Sequence, residues 1–561
     1  MLYSLSFSTM KKVFLLGFML FTTLCIEAAT PYCVLSGSTL TFYYDDNRPS
    51  TGTTYDLVYS NDQPKWVGKA SSVKTVVFHS SFADARPTDG SSWFYNMSNL
   101  TSIQGLSYLN TSEMTSMARM FYKCSSLTSL NLSSFDTEKV DNMAGMFYNC
   151  SNLTQLTIGN FKTGKVVRMN GMFSGCSSLT TVDVSNWDVS LVETMNAMFR
   201  SCNNLTTLDV SKWQTNALLN IGYMFYQCYK LQTIDVSGWD VSNVSNCHYA
   251  FYGCEKVSQL DVSNWNTPLF YDTSYLFFNC ASLKTLDMSK WDMSSVASTV
   301  KMFNYCSSLT SINMSGWYTD NLQNMKEMFS GCSSLTTLDV SHFNTSRVTD
   351  MTNLFCNCTS LTSVDVRGWD VSQVTDMSYM FYNCKSLTTI DLTKWNTQKL
   401  DNTLYMFDGC SSLTELDLSK LNVNKAYNGY NMLHGCTKLT KLSVHPSMES
   451  LDTGACVGVG TETDPCTLVV PKGFEFPEDT DTTQRVFMWC GGYFTLGGYM
   501  YILGDVNHDG FVNIYDVTLL IDYILALNPV NFHIAEADMN NDGFVNIYDV
   551  TLIIDYILNK E

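Results

Sequence analysis

Between Trp369 and Leu392 the apolar residues follow two rhythms. Val374, Met377, Met380, Phe381 and Cys384 come at steps of three, three, one and three; Leu387, Ile390 and Leu392 follow, the last two alternating with Thr389 and Asp391. The first rhythm puts one apolar face on a short helix, and the second is that of a half-buried strand. Each unit is therefore predicted to be strand, turn and short helix. Asp after the aromatic residue, as in Trp187-Asp188 and Trp239-Asp240, is turn chemistry, because a short acceptor side chain reaches a backbone N–H ahead of it. Ser190 then reads as a helix N-cap, with Glu193 completing a capping box.

This unit recurs. Cys124, Cys150, Cys176, Cys202, Cys228, Cys254, Cys280, Cys306, Cys332, Cys358, Cys384, Cys410 and Cys436 are each 26 residues apart, with no insertion or deletion in twelve periods. A fixed period of this length requires a stack of like coils, each burying its apolar edge on its neighbours, with atypical units closing the ends. Residues 100–117 hold a degraded unit, and the last unit loses its aromatic residue after Val444. The predicted class is α/β, a solenoid of about 13 units. The run Met-Phe-x-x-Cys-x-Ser-Leu-Thr-x-Leu-Asp-Val-Ser-x-Trp-Asp-x-Ser resembles the 26-residue repeat of BspA-like bacterial surface proteins over roughly residues 98–444. That resemblance implies a leucine-rich-repeat solenoid associated with cell-surface attachment.

Stacked coils lie about 4.8 Å apart, a spacing that a disulfide can bridge. An odd number of cysteines set between Phe and Leu anchors instead favours a buried thiol ladder. Cys456 and Cys466, outside the array, are the better disulfide candidates. Asp183, Asp209, Asp235, Asp261, Asp287, Asp339, Asp365, Asp391 and Asp417 form one column on the strand face, beside Thr180, Thr206, Thr336, Thr362, Thr388 and Thr414. Neighbouring hydroxyls are expected to satisfy these carboxylates, with a metal or polyhydroxylated-ligand stripe as the other reading. Composition departs from the repeat at Cys247, His248 and Tyr249 and again from Pro268 to Tyr271, the two candidate places for a specific contact.

Composition narrows the function. With 45% apolar and 15% charged residues in 561, the chain folds. A net charge of -19 without clustered Lys and Arg excludes nucleic acid as a partner. Lys11 and Lys12 before the apolar run Val13–Leu24, with Ala28 and Ala29 following, read as an export signal over residues 1–29. Leu24 stands where lipid attachment at Cys25 would want a small residue, and no apolar run is long enough to span a bilayer. The seven histidines are scattered, and no catalytic motif is present.

Residues 504–561 hold ten carboxylates against Lys560 alone, a charge of -9 in 58 residues. Segments 510–525 and 543–558 differ only where Leu520 is replaced by Ile553. Asp505, Asn507, Asp509, the Phe511 carbonyl, Asn513 and Asp516 take loop positions 1, 3, 5, 7, 9 and 12, with Gly510 at the sharp turn. Asp538, Asn540, Asp542, the Phe544 carbonyl, Asn546 and Asp549 repeat the pattern, with Gly543 at the turn. Hard oxygen ligands at this spacing predict two Ca2+ sites. Exit helices are expected to share one apolar face through Val517, Ile521, Ile524 and Leu525, and through Val550, Ile554, Ile557 and Leu558.

The missing entering helices and the Asp at position 12 resemble a type I dockerin, an all-α calcium-dependent plug for cohesin domains. The resemblance implies partner contacts at Ile514, Tyr515, Ile521 and Asp522, and at Ile547, Tyr548, Ile554 and Asp555. The Ile and Tyr positions are apolar where many cellulosomal dockerins are polar or basic, so another surface protein, or the chain itself, is an alternative partner.

The expected organisation is a signal at 1–29, a cap at 30–97, the solenoid at 98–444, a β-rich cap and linker at 445–503 and the dockerin at 504–561. The expected function is secreted or cell-surface adhesion without catalysis, the solenoid meeting a host protein or polysaccharide and the dockerin attaching the chain. The alternatives are a component of a polysaccharide-degrading complex, and a dockerin that only caps its own chain.

Overall fold

The computed structural model describes residues 29–50, 53–57, 59–60, 63–423, 429–500, 503–507, 512–540 and 542–558. The expected export signal and Cys25 lie outside them.

A hairpin of Tyr32–Ser36 with Thr39–Tyr43 opens the chain. Its second strand pairs in parallel with Thr75–Phe78, which pairs with Ser102–Gln104. From there a strand or bridge of one to three residues recurs in most coils, in register at 26 residues, as in Thr285↔Ser311 and Glu415↔Lys441; the coils at 259 and 389 lack it. A second column of single parallel bridges runs Asp89↔Ser116↔Asn142↔Arg168↔Thr194↔Asn220↔Asn246, and resumes from Asp272 to Asn402. The stack closes on Cys466–Pro471 and the hairpin of Phe487–Trp489 with Gly492–Met500. The coils begin earlier than residue 98, since Phe94 already stacks on Phe121.

The expected short helix is absent from the described coils. In residues 377–384 the N–H groups of Met377, Tyr379, Phe381 and Asn383 donate to carbonyls of the next coil, at 2.6 to 2.9 Å. Those of Met380, Tyr382 and Cys384 close three-residue turns on their own coil. Tyr379 and Asn383 have φ of 57° and 59°, and every coil places such left-handed residues here. No helix survives two left-handed residues in eight, and N–H groups aimed sideways are not available for i to i−4 bonding. With no helix, Ser190 is not a helix cap. Asp188 instead accepts from the Ser190 N–H and hydroxyl, so the predicted turn chemistry holds.

The core is built from columns. Phe rings from Phe94 to Phe407 stack with centroids 5.0 to 5.8 Å apart. Each of the thirteen repeat cysteines is buried and free, and its Sγ–H donates to a Phe carbonyl at 3.1 to 3.3 Å. The thiol ladder therefore stands in place of disulfides. Indole N–H groups likewise reach the preceding coil, as Trp265 Nε1 to the Val236 carbonyl at 3.1 Å. Burial of a polar group is cheap only when it is paired in this way. Because a coil meets only its neighbours, damage should be local. Phe277→Ala, at a fully buried ring, is expected to cost about 3–5 kcal/mol. A lowered urea m-value would accompany it, as coils around 251–303 open first.

Candidate calcium site and contact surfaces

In the C-terminal module α1 (Ile514–Ile524) and α3 (Ile547–Leu558) pack together, and a four-residue helix α2 (Ile534–Ala537) precedes the second loop. That short helix departs from the expectation of exit helices alone. Val506, Val512, Val517, Leu520, Ala537, Val550 and Ile553 form a core of their own. The buried face is thus one position off the expected one: Leu520 and Ile553 point inward, whereas Ile521 and Ile554 are exposed. Asn513 caps α1, accepting from the Tyr515 N–H, while Asp516 Oδ2 accepts from the Asn513 N–H at 2.8 Å.

The second loop folds around its carboxylates. Asp538 accepts from the N–H groups of Asp542 and Gly543, and Asn540 Oδ1 from that of Asp542. Asp542 accepts from the Phe544 N–H, and Asn546 Oδ1 from the Tyr548 N–H. Asp549 joins the two ends, accepting from Met539 N–H and Asn546 N–H, both at 2.8 Å. Gly543 holds φ 83°, a left-handed turn that favours glycine. In the first loop Asp509, Gly510 and Phe511 lie outside the described residues, while Asp505, Asn507, Asn513 and Asp516 are described. Among the described residues no three acidic, His or Cys side chains already converge as a metal shell.

The donor set nonetheless fits a hard cation. Asp505, Asp516 and Asp549 are at most 1% exposed, and residues 504–559 contain no Lys or Arg. Each carboxylate has about four acceptor positions, so backbone N–H bonds leave room for a metal. Buried carboxylates are stabilised by a compensating positive charge, which a hard cation with oxygen ligands supplies. Around these loops Ile514, Tyr515, Ile547 and Tyr548 are 64–73% exposed, with Asp522 half-buried and Asp555 exposed.

On the solenoid the Asp column is spent locally. Asp209, Asp261 and Asp339 each accept from the hydroxyl and N–H of the serine two residues on, and the hydroxyl bond first holds their carboxyls below the usual range. Thr206, Thr362, Thr388 and Thr414 donate their hydroxyls to the coil before. The irregular coils do gather a feature the sequence reading missed. Tyr223, Tyr249 and Tyr275 stack at 4.6 to 4.8 Å, with Arg200 over Tyr223 and Lys301 over Tyr275. His248 Nε2 lies 3.3 Å from Asp272 Oδ2 in the groove beside them. Tyr at 26-residue steps was the available signal. Leu269 and Tyr271 are exposed nearby.

No described helix is long and apolar enough to cross a membrane. Comparison with family models matches a family described as "Mycoplasma protein of unknown function, DUF285" at residues 80–157, 154–260, 246–339 and 324–444. The dockerin type I domain model matches residues 503–558. No curated protein matches the chain. Among solved structures, a leucine-rich-repeat protein of Leptospira interrogans is 14% identical at a TM-score of 0.22, covering 69% of this chain and 94% of its own. The functional domain of InlJ from Listeria monocytogenes, described as including a cysteine ladder, is 12% identical at 0.20, covering 73% and 77%. Neither likeness bears on function. Dockerin type I domains bind calcium and cohesins, and neither the repeat nor the dockerin is a catalytic domain type. With the repeat model matching well over half of its length, the chain belongs to the DUF285 family of BspA-like repeat proteins and carries a type I dockerin domain at its C-terminal end.

Proposed function

We propose that this is an extracellular attachment protein without catalytic activity, in which the coils of 98–444 present a contact surface and residues 504–561 dock the chain onto a cohesin-like surface protein. Two Ca2+ ions set the docking face, held by Asp505, Asn507, Asp509, Phe511 O, Asn513 and Asp516, and by their counterparts Asp538, Asn540, Asp542, Phe544 O, Asn546 and Asp549. The observation that carries this reading is the duplicated apolar pair after each loop, Ile514-Tyr515 and Ile547-Tyr548, exposed on a small module. Adjacent large apolar side chains left exposed mark contact sites. With Ile521 and Ile554 also exposed on the same two helices, they suit a partner face that is itself apolar.

The test is capture of a surface partner from the native organism by the full-length protein, in calcium and in chelator. Asp505→Ala with Asp538→Ala is expected to abolish capture and leave the solenoid folded, as does Tyr515→Ala with Tyr548→Ala without loss of calcium. Capture that survives both double variants would refute docking through this module.

A further inference from the structure

At the C-terminal end of the stack two cysteines outside the ladder are pressed together. The N–H of Cys456 donates to the Cys490 carbonyl at 2.8 Å, just as Phe381 and Phe407 donate to the coil that follows each of them. Cys456 thus occupies the phenylalanine column of a last, shortened coil, and the closing hairpin supplies its neighbour. A backbone bond of this kind sets Cα atoms about 5–6 Å apart, inside the range that a disulfide spans. The Cys490 Sγ–H donates to the Leu451 carbonyl at 3.7 Å, on the segment that leads into Cys456.

The hairpin turn is built to hold them there. Cys490 and Gly491 join Phe487–Trp489 to Gly492–Met500 with φ of 49° and 83°, a mirror-image turn that normally takes Asn-Gly. A cysteine in the left-handed region is unfavourable and is held there by the turn. Any Cβ on Gly492 would lie 3.1 Å from the Cys456 Cβ, and one on Gly491 would meet Val457 and Thr453, so the turn sits tightly on residues 453–457. Cys490 is partly exposed, whereas Cys456 and the thirteen ladder cysteines are sealed in. Cys466 is buried too, its Sγ–H directed to the Thr467 carbonyl at 3.8 Å.

We propose that Cys456 and Cys490 form a disulfide once the chain meets an oxidising environment, stapling the closing hairpin to the last coil while the ladder stays reduced. A small disulfide is the oxidant. The Cys490 thiolate attacks one of its sulfurs and expels a thiolate, giving a mixed disulfide at the exposed position. The Cys456 sulfur then attacks the Cys490 sulfur, and its proton passes to the second thiolate as that leaves. Two protein thiols are oxidised and one small disulfide is reduced to two thiols. The expected Cys456–Cys466 pairing is replaced by this one.

The test uses the full-length protein, purified with reductant and then exposed to oxidised glutathione. After alkylation, the non-reduced digest is expected to show one linked pair of peptides, carrying Cys456 and Cys490, lighter by two hydrogens than their sum. Ladder cysteines should alkylate only in denaturant. Cys490→Ser, checked for unchanged circular dichroism, should show neither the link nor a glutathione on Cys456. A link from Cys456 to Cys466, links within the ladder, glutathione left unresolved on Cys490, or both thiols still alkylating after oxidation would each overturn the proposal.

Discussion

Raising the pH from 8 to 11 is expected to unfold the solenoid in a steep transition. Burial pushes the thiols of Cys150, Cys228 and Cys410 up to about 12, and those of Cys176, Cys202, Cys254 and Cys384 well above their usual range. In the unfolded chain each ionises near 8.5. Between those values the folded state binds more protons than the unfolded state, so stability falls as pH rises. The contribution is intact below about pH 8.5 and is lost on the way to the folded values. Each such thiol costs about 1.4 kcal/mol per pH unit across that window, and repetition along the ladder multiplies a modest slope into a collapse. Tyr249, raised to about 12 first by burial and then by the neighbouring tyrosines, adds in the same direction. Circular dichroism against pH measures the transition. Replacing Cys228, Cys254 and Cys280 together by Ala should make it shallower, and a melting temperature flat from pH 8 to 11 would show that these thiols are not sealed from water.

The second large effect concerns the cation. Asp516→Ala with Asp549→Ala removes the two carboxylates that tie each loop to its helix, both fully buried. Calcium binding in the full-length protein should weaken at least about a hundredfold, which calorimetry reads as a loss of heat. At a free concentration a hundred times Kd, one bound ion stabilises its module by about 2.7 kcal/mol, so a chelator should lower the melting of α1 and α3. The core of the coils shares no residue with that of this module, and its transition should stay where it was. A chelator that shifts the solenoid, or leaves both transitions unmoved, would contradict the assignment.

The helix expected in each coil failed for an instructive reason. Steps of three, three, one and three suit a helix, but they equally suit a ribbon of turns whose N–H groups alternate between their own coil and the next. The deciding signal lay one residue before each ladder cysteine, where Gly or Asn stands in nine of thirteen coils and the backbone is left-handed. Those residue types tolerate such a conformation and serve a helix interior poorly. The helix faces of the C-terminal module were misread by one position because 521 and 554 are as apolar as 520 and 553, so periodicity cannot say which is covered.

From the sequence alone came the 26-residue stack, the burial of its Phe, Cys and Trp columns, the turn role of Asp188 and the two oxygen-rich loops. These depend on spacing and residue type, which repetition prints thirteen times over. Only the tertiary structure decided that the coils carry turns in place of helices, that the Cys456 N–H reaches the Cys490 carbonyl, and that Tyr223, Tyr249 and Tyr275 form one cation-capped column. Each of those depends on which backbone group or side chain from a distant coil arrives alongside, and the spacing within one unit carries no record of that.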